Sequence, residues 1–195
     1  MQRLGILGGT FDPIHIGHVL LAQAVREELA LDQVLFVPAA DPPHKEAEPP
    51  LAPAAQRWAM VELALESFPS FKGSRIELER PGKSYMYDTL QQLRALHPHT
   101  QLFLIIGADN IAPLSTWHKP QGILDQCTVV AGSRITTALD PDPVLAAQLL
   151  QVETPLIELS STRIRQRLAA GCSIRYMVPE KVEAYIAEKG LYRSS

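Results

Sequence analysis

The sequence predicts an α/β protein: a single Rossmann-like, doubly wound parallel sheet with a small C-terminal helical segment from about residue 160 to 195. Two observations predict it. Short apolar runs alternate along the chain with longer stretches that carry helical spacing, the strand–helix alternation of parallel sheets. The strand candidates are also nearly continuous in apolar residues, as in Leu102–Ile106, and a strand apolar on both sides has to be covered on both faces. A chain of 195 residues, set against roughly 150 per domain, makes one domain over 1–195 the expectation.

The elements follow in order. Leu4–Leu7 reads as a strand and Ile16–Leu29 as a helix. Val34–Val37 is the next strand, stopped by Pro38, and Ala54–Leu65 is a helix with Pro53 in its first turn. Arg75–Leu78 is expected as a strand, with Ser84 capping a helix that runs to about Leu96. Leu102–Ile106 is the clearest strand. Thr128–Ala131 is a strand, Val144–Leu150 a short helix and Leu156–Leu159 the last strand. Ser161–Ala169 and Glu180–Lys189 close the chain as helices. Pro38–Pro53, rich in proline, alanine and acids, and Gly132–Pro143 are the two long loops.

Composition narrows the function. Hydrophobic residues make up 46% and charged residues 20%, which is globular rather than disordered. Eighteen Lys and Arg against 21 Asp and Glu leave −3, which excludes a generally basic coat for nucleic acid. Cys127 and Cys172 stand far apart, so neither a disulfide framework nor a cysteine zinc motif is present, as expected for a reducing compartment. The longest apolar run, Leu102–Ile106, has five residues, against roughly 20 for a membrane span. The N-terminal apolar stretch is too short for a signal-peptide core and runs into a glycine turn. A cytoplasmic protein with neither membrane nor nucleic-acid partner is expected. Oligomeric state is not legible, and a homo-oligomer stays open.

Two stretches carry chemistry. The first strand ends in Gly8-Gly9-Thr10-Phe11-Asp12-Pro13-Ile14-His15-Ile16-Gly17-His18. This is neither the dinucleotide fingerprint nor a phosphate-binding loop with its lysine. It still lies beyond the carboxyl end of the first strand, where open α/β sheets bind nucleotides. Glycines there permit close backbone approach. His15 and His18, three apart, share a face of the helix start, whose unpaired amides attract anions. They read either as phosphate donors or as an ordinary surface pair. A zinc site would need a third ligand, and no metal ligands are assigned.

The second stretch is Leu159–Arg167. Ser160 or Ser161 is a good N-cap, three arginines follow at 163, 165 and 167, and no acid occurs from Ser160 to Arg175. A cation in the first turn of a helix is unfavourable by roughly 0.3–1 kcal/mol, a cost that an arriving anion offsets. Arg163 and Arg167, four apart, also suit a solvated face, and Arg165, on a different face, is the one expected to meet the anion.

Together these stretches resemble the paired signatures of the nucleotidyltransferase superfamily with a His-x-Gly-His motif, and within it the bacterial nicotinate-nucleotide adenylyltransferases. The resemblance runs nearly end to end. Pro42-Pro43-His44-Lys45 is similar to the loop after the second strand of that family. Glu79–Leu90, with its run Gly82–Leu90, is similar to its pyridine-nucleotide segment, and Gly107-Ala108-Asp109-Asn110 with Thr116-Trp117-His118 to its fourth-strand turn and aromatic. Tyr176–Pro179, then Val182, Tyr185-Ile186 and Leu191-Tyr192, resemble its C-terminal signature. The resemblance implies a single nucleotidyltransferase domain in which ATP, with Mg²⁺, and nicotinate mononucleotide give the deamido dinucleotide and pyrophosphate in NAD synthesis. It implies catalytic roles for His15, His18 and Arg165, and ATP contacts from Gly8, Gly9, Thr10, Phe11, Gly107, Asp109, Ser160, Ser161 and Thr162. It implies pyridine-nucleotide contacts from His44, Lys45, Tyr85, Met86, Thr89, Trp117 and Arg134.

Two positions depart from the pattern. Met86 stands where a small or hydroxyl residue is expected, and Ala131–Thr136 lacks the Arg-Pro-Gly-Tyr-like turn. Both fall near the implied pocket, so the preference between acid and amide pyridine stays open. The alternatives are an adenylyltransferase acting on nicotinamide mononucleotide or phosphopantetheine, and a nucleotide sensor without catalysis.

Overall fold

A computed structural model describes residues 1–43, 52–133, 147–154 and 158–193. Six parallel strands form one sheet in the order β3-β2-β1-β4-β5-β6. The strands are β1 Gln2–Gly9, β2 Gln33–Pro38, β3 Phe71–Gly73, β4 Thr100–Gly107, β5 Thr128–Ser133 and β6 Leu150–Glu153. The described helices are α1 Ile16–Glu28, α2 Ala54–Leu65, α3 Met86–Leu96, α4 Pro120–Leu124, α5 Ser161–Ala169 and α6 Glu180–Lys189.

Alternation along the central strands feeds two separate cores, as the continuous apolar runs require. Leu7, Phe103 and Ile105 join α1 and α2 on one face, through Val19, Ala22, Val25, Met60 and Val61. Leu4, Ile6, Leu102, Leu104 and Ile106 join α3 and α4 on the other, through Leu90, Leu93 and Ile123. The C-terminal helices complete the first core with Ile164, Val182 and Ile186. The sheet is therefore doubly wound, and burying each such Leu or Ile contributes about 1.5–3 kcal/mol. The strand order reverses between β1 and β4. Beyond the pair Leu7–Ile105 these two strands diverge, opening a crevice at their carboxyl ends.

Four expectations need correction. Arg75–Leu78 is not a strand; Ile76–Glu79 is a turn, and the edge strand is Phe71–Gly73. The last described strand is Leu150–Glu153; of the expected strand Leu156–Leu159, the first two residues lie outside the described residues and Glu158–Leu159 are irregular, and only Val152 of the observed strand is buried, so its alternation is barely visible in the sequence. The described end of the expected helix Val144–Leu150 is a turn leading into that strand. Ser84 does not cap α3, whose N-cap is Tyr85; the Ser84 hydroxyl accepts instead from the Ala40 and Asp41 amides, at 2.9 and 3.3 Å. His44, Lys45 and Arg134 lie outside the described residues.

Candidate active site

The turn after β1 is built around a buried acid. Phe11 takes a left-handed backbone (φ 49°) and is fully buried, and Asp12 follows it, also fully buried. His15, 5% exposed, is the N-cap of α1. Its amide donates to His18 Nδ1 (3.2 Å). That bond makes His18 Nδ1 an acceptor, so the ring proton sits on Nε2 and His18 presents one donor outward. The two imidazoles stack with centroids 3.6 Å apart, and the Phe11 ring meets His18 edge-on at 5.0 Å.

Burial decides their charge. It lowers the His15 pKa from 6.5 to about 4, and burial together with the neighbouring His15 holds His18 well below the usual imidazole range. Both are neutral near pH 7. The unfolded chain takes up protons below 6.5 that the folded chain resists down to about 4. Stability is therefore full above 6.5 and is lost as pH falls towards 4. His15 alone is expected to remove about 2 kcal/mol by about pH 5. Denaturant titrations at about pH 7.5 and about pH 5 measure this, and the pH dependence should shrink in His15→Gln. Equal dependence in both proteins would contradict a buried neutral His15.

Gly17 fits the stack closely. A Cβ there would lie 3.0 Å from His15 Nδ1 and 3.1 Å from Cε1. Gly17→Ala gains helix propensity of up to about 1 kcal/mol but displaces the ring. The expected result is an unchanged or slightly raised melting temperature with activity down about tenfold. An alanine variant of full activity would show that the His15 ring position is not used.

The start of α5 docks on this turn from about 150 residues away in sequence. Ser161 Oγ donates to the Pro13 carbonyl (2.9 Å), and Arg165 Nη1 donates to the Asp12 carbonyl (2.9 Å). Arg165 Nη2 donates to Thr162 Oγ1 (3.2 Å), and Nη1 lies 3.7 Å from Asp12 Oδ2. Ser160 caps the helix by accepting from the Arg163 amide (3.2 Å). The three arginines divide: Arg163 opens onto the cleft, Arg165 stands against Asp12, and Arg167 donates to the Ser173 carbonyl. The two chemistry-bearing stretches thus form one site.

That site opens into a cleft of about 850 Å³, within the range of small-molecule pockets. Gly8, Gly9, Thr10, Phe11, His15 and His18 line it from β1 and α1. Gly107 and Asp109 line it from the turn after β4, Tyr85 and Met86 from the start of α3, Trp117 from its loop, and Ser160, Ser161 and Thr162 from α5. Asp109 is exposed and makes no capping bond; its Oδ1 accepts from Asn110 Nδ2 of the side chain (3.1 Å). Thr89 is fully buried and does not itself line the cleft. Its hydroxyl donates to Glu77 Oε1 (2.6 Å) and accepts from Arg80 Nη2 (3.1 Å), which fixes the start of α3. Among the described residues no group of three or more His, Cys, Asp or Glu is placed to hold a metal ion.

Several residues escaped the sequence. His118 lines the cleft, its ring 4.4 Å from that of Tyr85. Glu77 also lines it, and burial pushes its carboxyl pKa up. Arg57 is 2% exposed and donates to the carbonyls of Thr10 (2.8 Å), Ala39 (2.7 Å), Ala40 (3.2 Å) and Ala52 (3.0 Å). Its signal was present: it shares helical phase with Met60, Val61 and Ala64, so a charge stands in an apolar stripe.

The cytidylyltransferase-like family model matches residues 6–167, a span that contains both the histidine turn and the start of α5. The chain belongs to this family. A protein of Thermus thermophilus named as a probable nicotinate-nucleotide adenylyltransferase is 47% identical over 192 residues, covering 98% of this chain and all of that one. A Geobacillus thermodenitrificans protein of the same designation is 44% identical and covers 98% of this chain and 87% of its own. Among solved structures, the Plasmodium falciparum nicotinic acid mononucleotide adenylyltransferase is similar with a TM-score of 0.80 over 98% of both chains. At 17% identity it bears on the fold alone. No described helix is long and apolar enough to cross a membrane.

Proposed function

We infer that this cytidylyltransferase-like protein is a nicotinate-nucleotide adenylyltransferase. It moves the adenylyl group of ATP onto the phosphate of nicotinate mononucleotide, forming nicotinate adenine dinucleotide and releasing pyrophosphate. The observation that carries this reading is the docking of α5 on the histidine turn through Ser161 and Arg165, which aims two helix starts and two neutral imidazoles at one cleft.

The chemistry needs little more. A phosphate oxygen of the mononucleotide attacks the α-phosphorus in line. The bond from that phosphorus to the bridging oxygen breaks, and its electron pair leaves with pyrophosphate. The attacking phosphate is already anionic, with a second pKa of about 6, so no general base is required. Positioning and charge stabilisation do the catalysis.

His18, through Nε2–H, is the donor nearest the transferred phosphate, and His15 supports it from the stack. The amides of Ser161 and Thr162 face the β- and γ-phosphates, with the guanidinium of Arg165 behind the same turn and that of Arg163 at the cleft. Gly8, Gly9, Thr10 and Gly107 let the nucleotide approach the backbone, and Asp109 accepts from ribose hydroxyls. Trp117, with Tyr85 and Met86, takes the pyridine ring. Mg²⁺ would enter with the nucleotide as MgATP and would neutralise charge on its phosphates. The substrates are soluble nucleotides, and we place the reaction in the cytoplasm.

Pyrophosphate release with ATP, Mg²⁺ and each acceptor tests the reading. Nicotinate mononucleotide should react and phosphopantetheine should not. The reverse result would transfer the chain to another adenylyltransferase. ATP binding without turnover on any acceptor would make it a sensor.

A further inference from the structure

The buried carboxylate of Asp12 is tied to the far end of the chain. Tyr192, 180 residues away, donates its hydroxyl to Asp12 Oδ1 at 2.6 Å, and the Ala52 amide donates to the same oxygen at 3.1 Å. Delivering this hydroxyl takes unusual backbone. α6 ends at Gly190 (φ 62°), the Leu191 amide donates back to the Ile186 carbonyl (3.1 Å), and Tyr192 itself takes a left-handed conformation (φ 63°). Phe11, directly before Asp12, is left-handed too. Non-glycine residues held this way cost of order 1–3 kcal/mol each; one of the two donates this hydrogen bond and the other directly precedes its acceptor. Leu191 and Tyr192 pack, partly buried, against the core that holds Phe11 and Ile14.

Asp12 is a junction. Its carbonyl accepts from Arg165, its Oδ2 faces the same guanidinium at 3.7 Å, and the next carbonyl, of Pro13, accepts from Ser161. Two residues further on, His15 begins α1. A shift of the Asp12 side chain therefore moves both halves of the phosphate site. With Oδ1 held by Tyr192 and Ala52, the carboxylate stays at ionic rather than hydrogen-bonding distance from Arg165. Without the tyrosine hydroxyl, it can turn towards that guanidinium and pull Arg165, and with it the start of α5, out of register with the β1 turn.

We propose that Tyr192 is a positioning residue of the active site: its hydroxyl fixes Asp12, and through Asp12 it sets the start of α5, which Arg165 holds, and the His15–His18 pair for the transferred phosphates. The inference rests on the adenylyl-transfer reading. Burial and the bond to Asp12 raise the Tyr192 hydroxyl pKa, so it remains a donor across the working range.

Tyr192→Phe removes the hydroxyl and keeps the ring. The expected result is a kcat about tenfold lower or more, with the KM for each substrate within about twofold, measured well below the melting temperature. A merely structural tyrosine would lower the melting temperature and leave kcat unchanged; a kcat within about twofold of the parent overturns the proposal. If the effect runs through Asp12, Tyr192→Phe adds nothing in an Asp12→Asn background, whereas multiplication of the two losses refutes the route.

Should Asp12→Asn not fold, imidazole ¹H–¹⁵N spectra of parent and Tyr192→Phe decide. Displaced His15 and His18 signals support positioning, and superimposable ones overturn it. That readout needs no turnover. A parent inactive on every acceptor would sink the functional reading, while an active parent with an indifferent phenylalanine variant would sink this one.

Discussion

Replacing His18 with alanine is expected to lower turnover at least about 100-fold, the size seen when one preorganised transition-state donor is removed. The reason lies in a single bond. Because His18 Nδ1 accepts from the His15 amide at 3.2 Å, the ring offers Nε2–H to the cleft, already oriented and without a charge to desolvate. Negative charge grows on the α-phosphoryl oxygens and the departing pyrophosphate as the bridging bond breaks, so this donor gains more in the transition state than in the bound state. The Kd of ATP is accordingly expected to rise less than about tenfold. His18→Gln, which keeps an N–H of similar reach, should recover part of the rate. Parallel kinetic and binding measurements decide: equal losses of rate and affinity would reduce His18 to a ground-state contact.

The same residue shows what a sequence can disclose. Spacing places His15 and His18 on one helix face at the end of the first strand. It does not disclose that both are neutral, because that follows from burial under Phe11 and from their stacking, which only packing supplies. The central strands are legible for the opposite reason. β4 is apolar on both faces, so its whole run reads out. The edge strands β3 and β6 bury one residue each, Phe71 and Val152, and carry almost no pattern. Ser84 looks like a helix cap, but the amides of Ala40 and Asp41 claim its hydroxyl, a tertiary bond that outweighs local capping preference.

The arginines of α5 divide along the same line. A first turn loaded with cations signals an anion, and the helix start does line the cleft. Which arginine faces it depends on Asp12, whose carbonyl and carboxylate lie against Arg165 and leave Arg163 at the opening. Asp12 in turn reads as an ordinary turn residue in the sequence. Its partners Arg57, Ala52, Arg165 and Tyr192 come from three distant segments that no local pattern connects.

Arg57→Met should be the most destabilising of these substitutions, by about 3–5 kcal/mol, because several buried carbonyls lose a charged donor at about 1–3 kcal/mol each. Burial works against the guanidinium, while the nearby Asp12 works in its favour. It persists because its donors satisfy four carbonyls belonging to the β1 turn, the end of β2 and the approach to α2. Methionine fills similar space but leaves those carbonyls unpaired and Asp12 without its second neighbouring cation. For a chain of this size, a melting temperature lower by about 10 °C follows. Arg57→Lys should recover only part of it, because one ammonium cannot span carbonyls on opposite sides of the side chain as the guanidinium fork does. A loss in the methionine variant below about 1 kcal/mol would mean that water replaces the arginine at those carbonyls. The three segments would then be held by their apolar packing alone. If instead the loss is large, what survives of ATP binding in the folded fraction reports how far the β1 turn depends on Arg57, because Thr10 is the one of its four partners that lies within that turn.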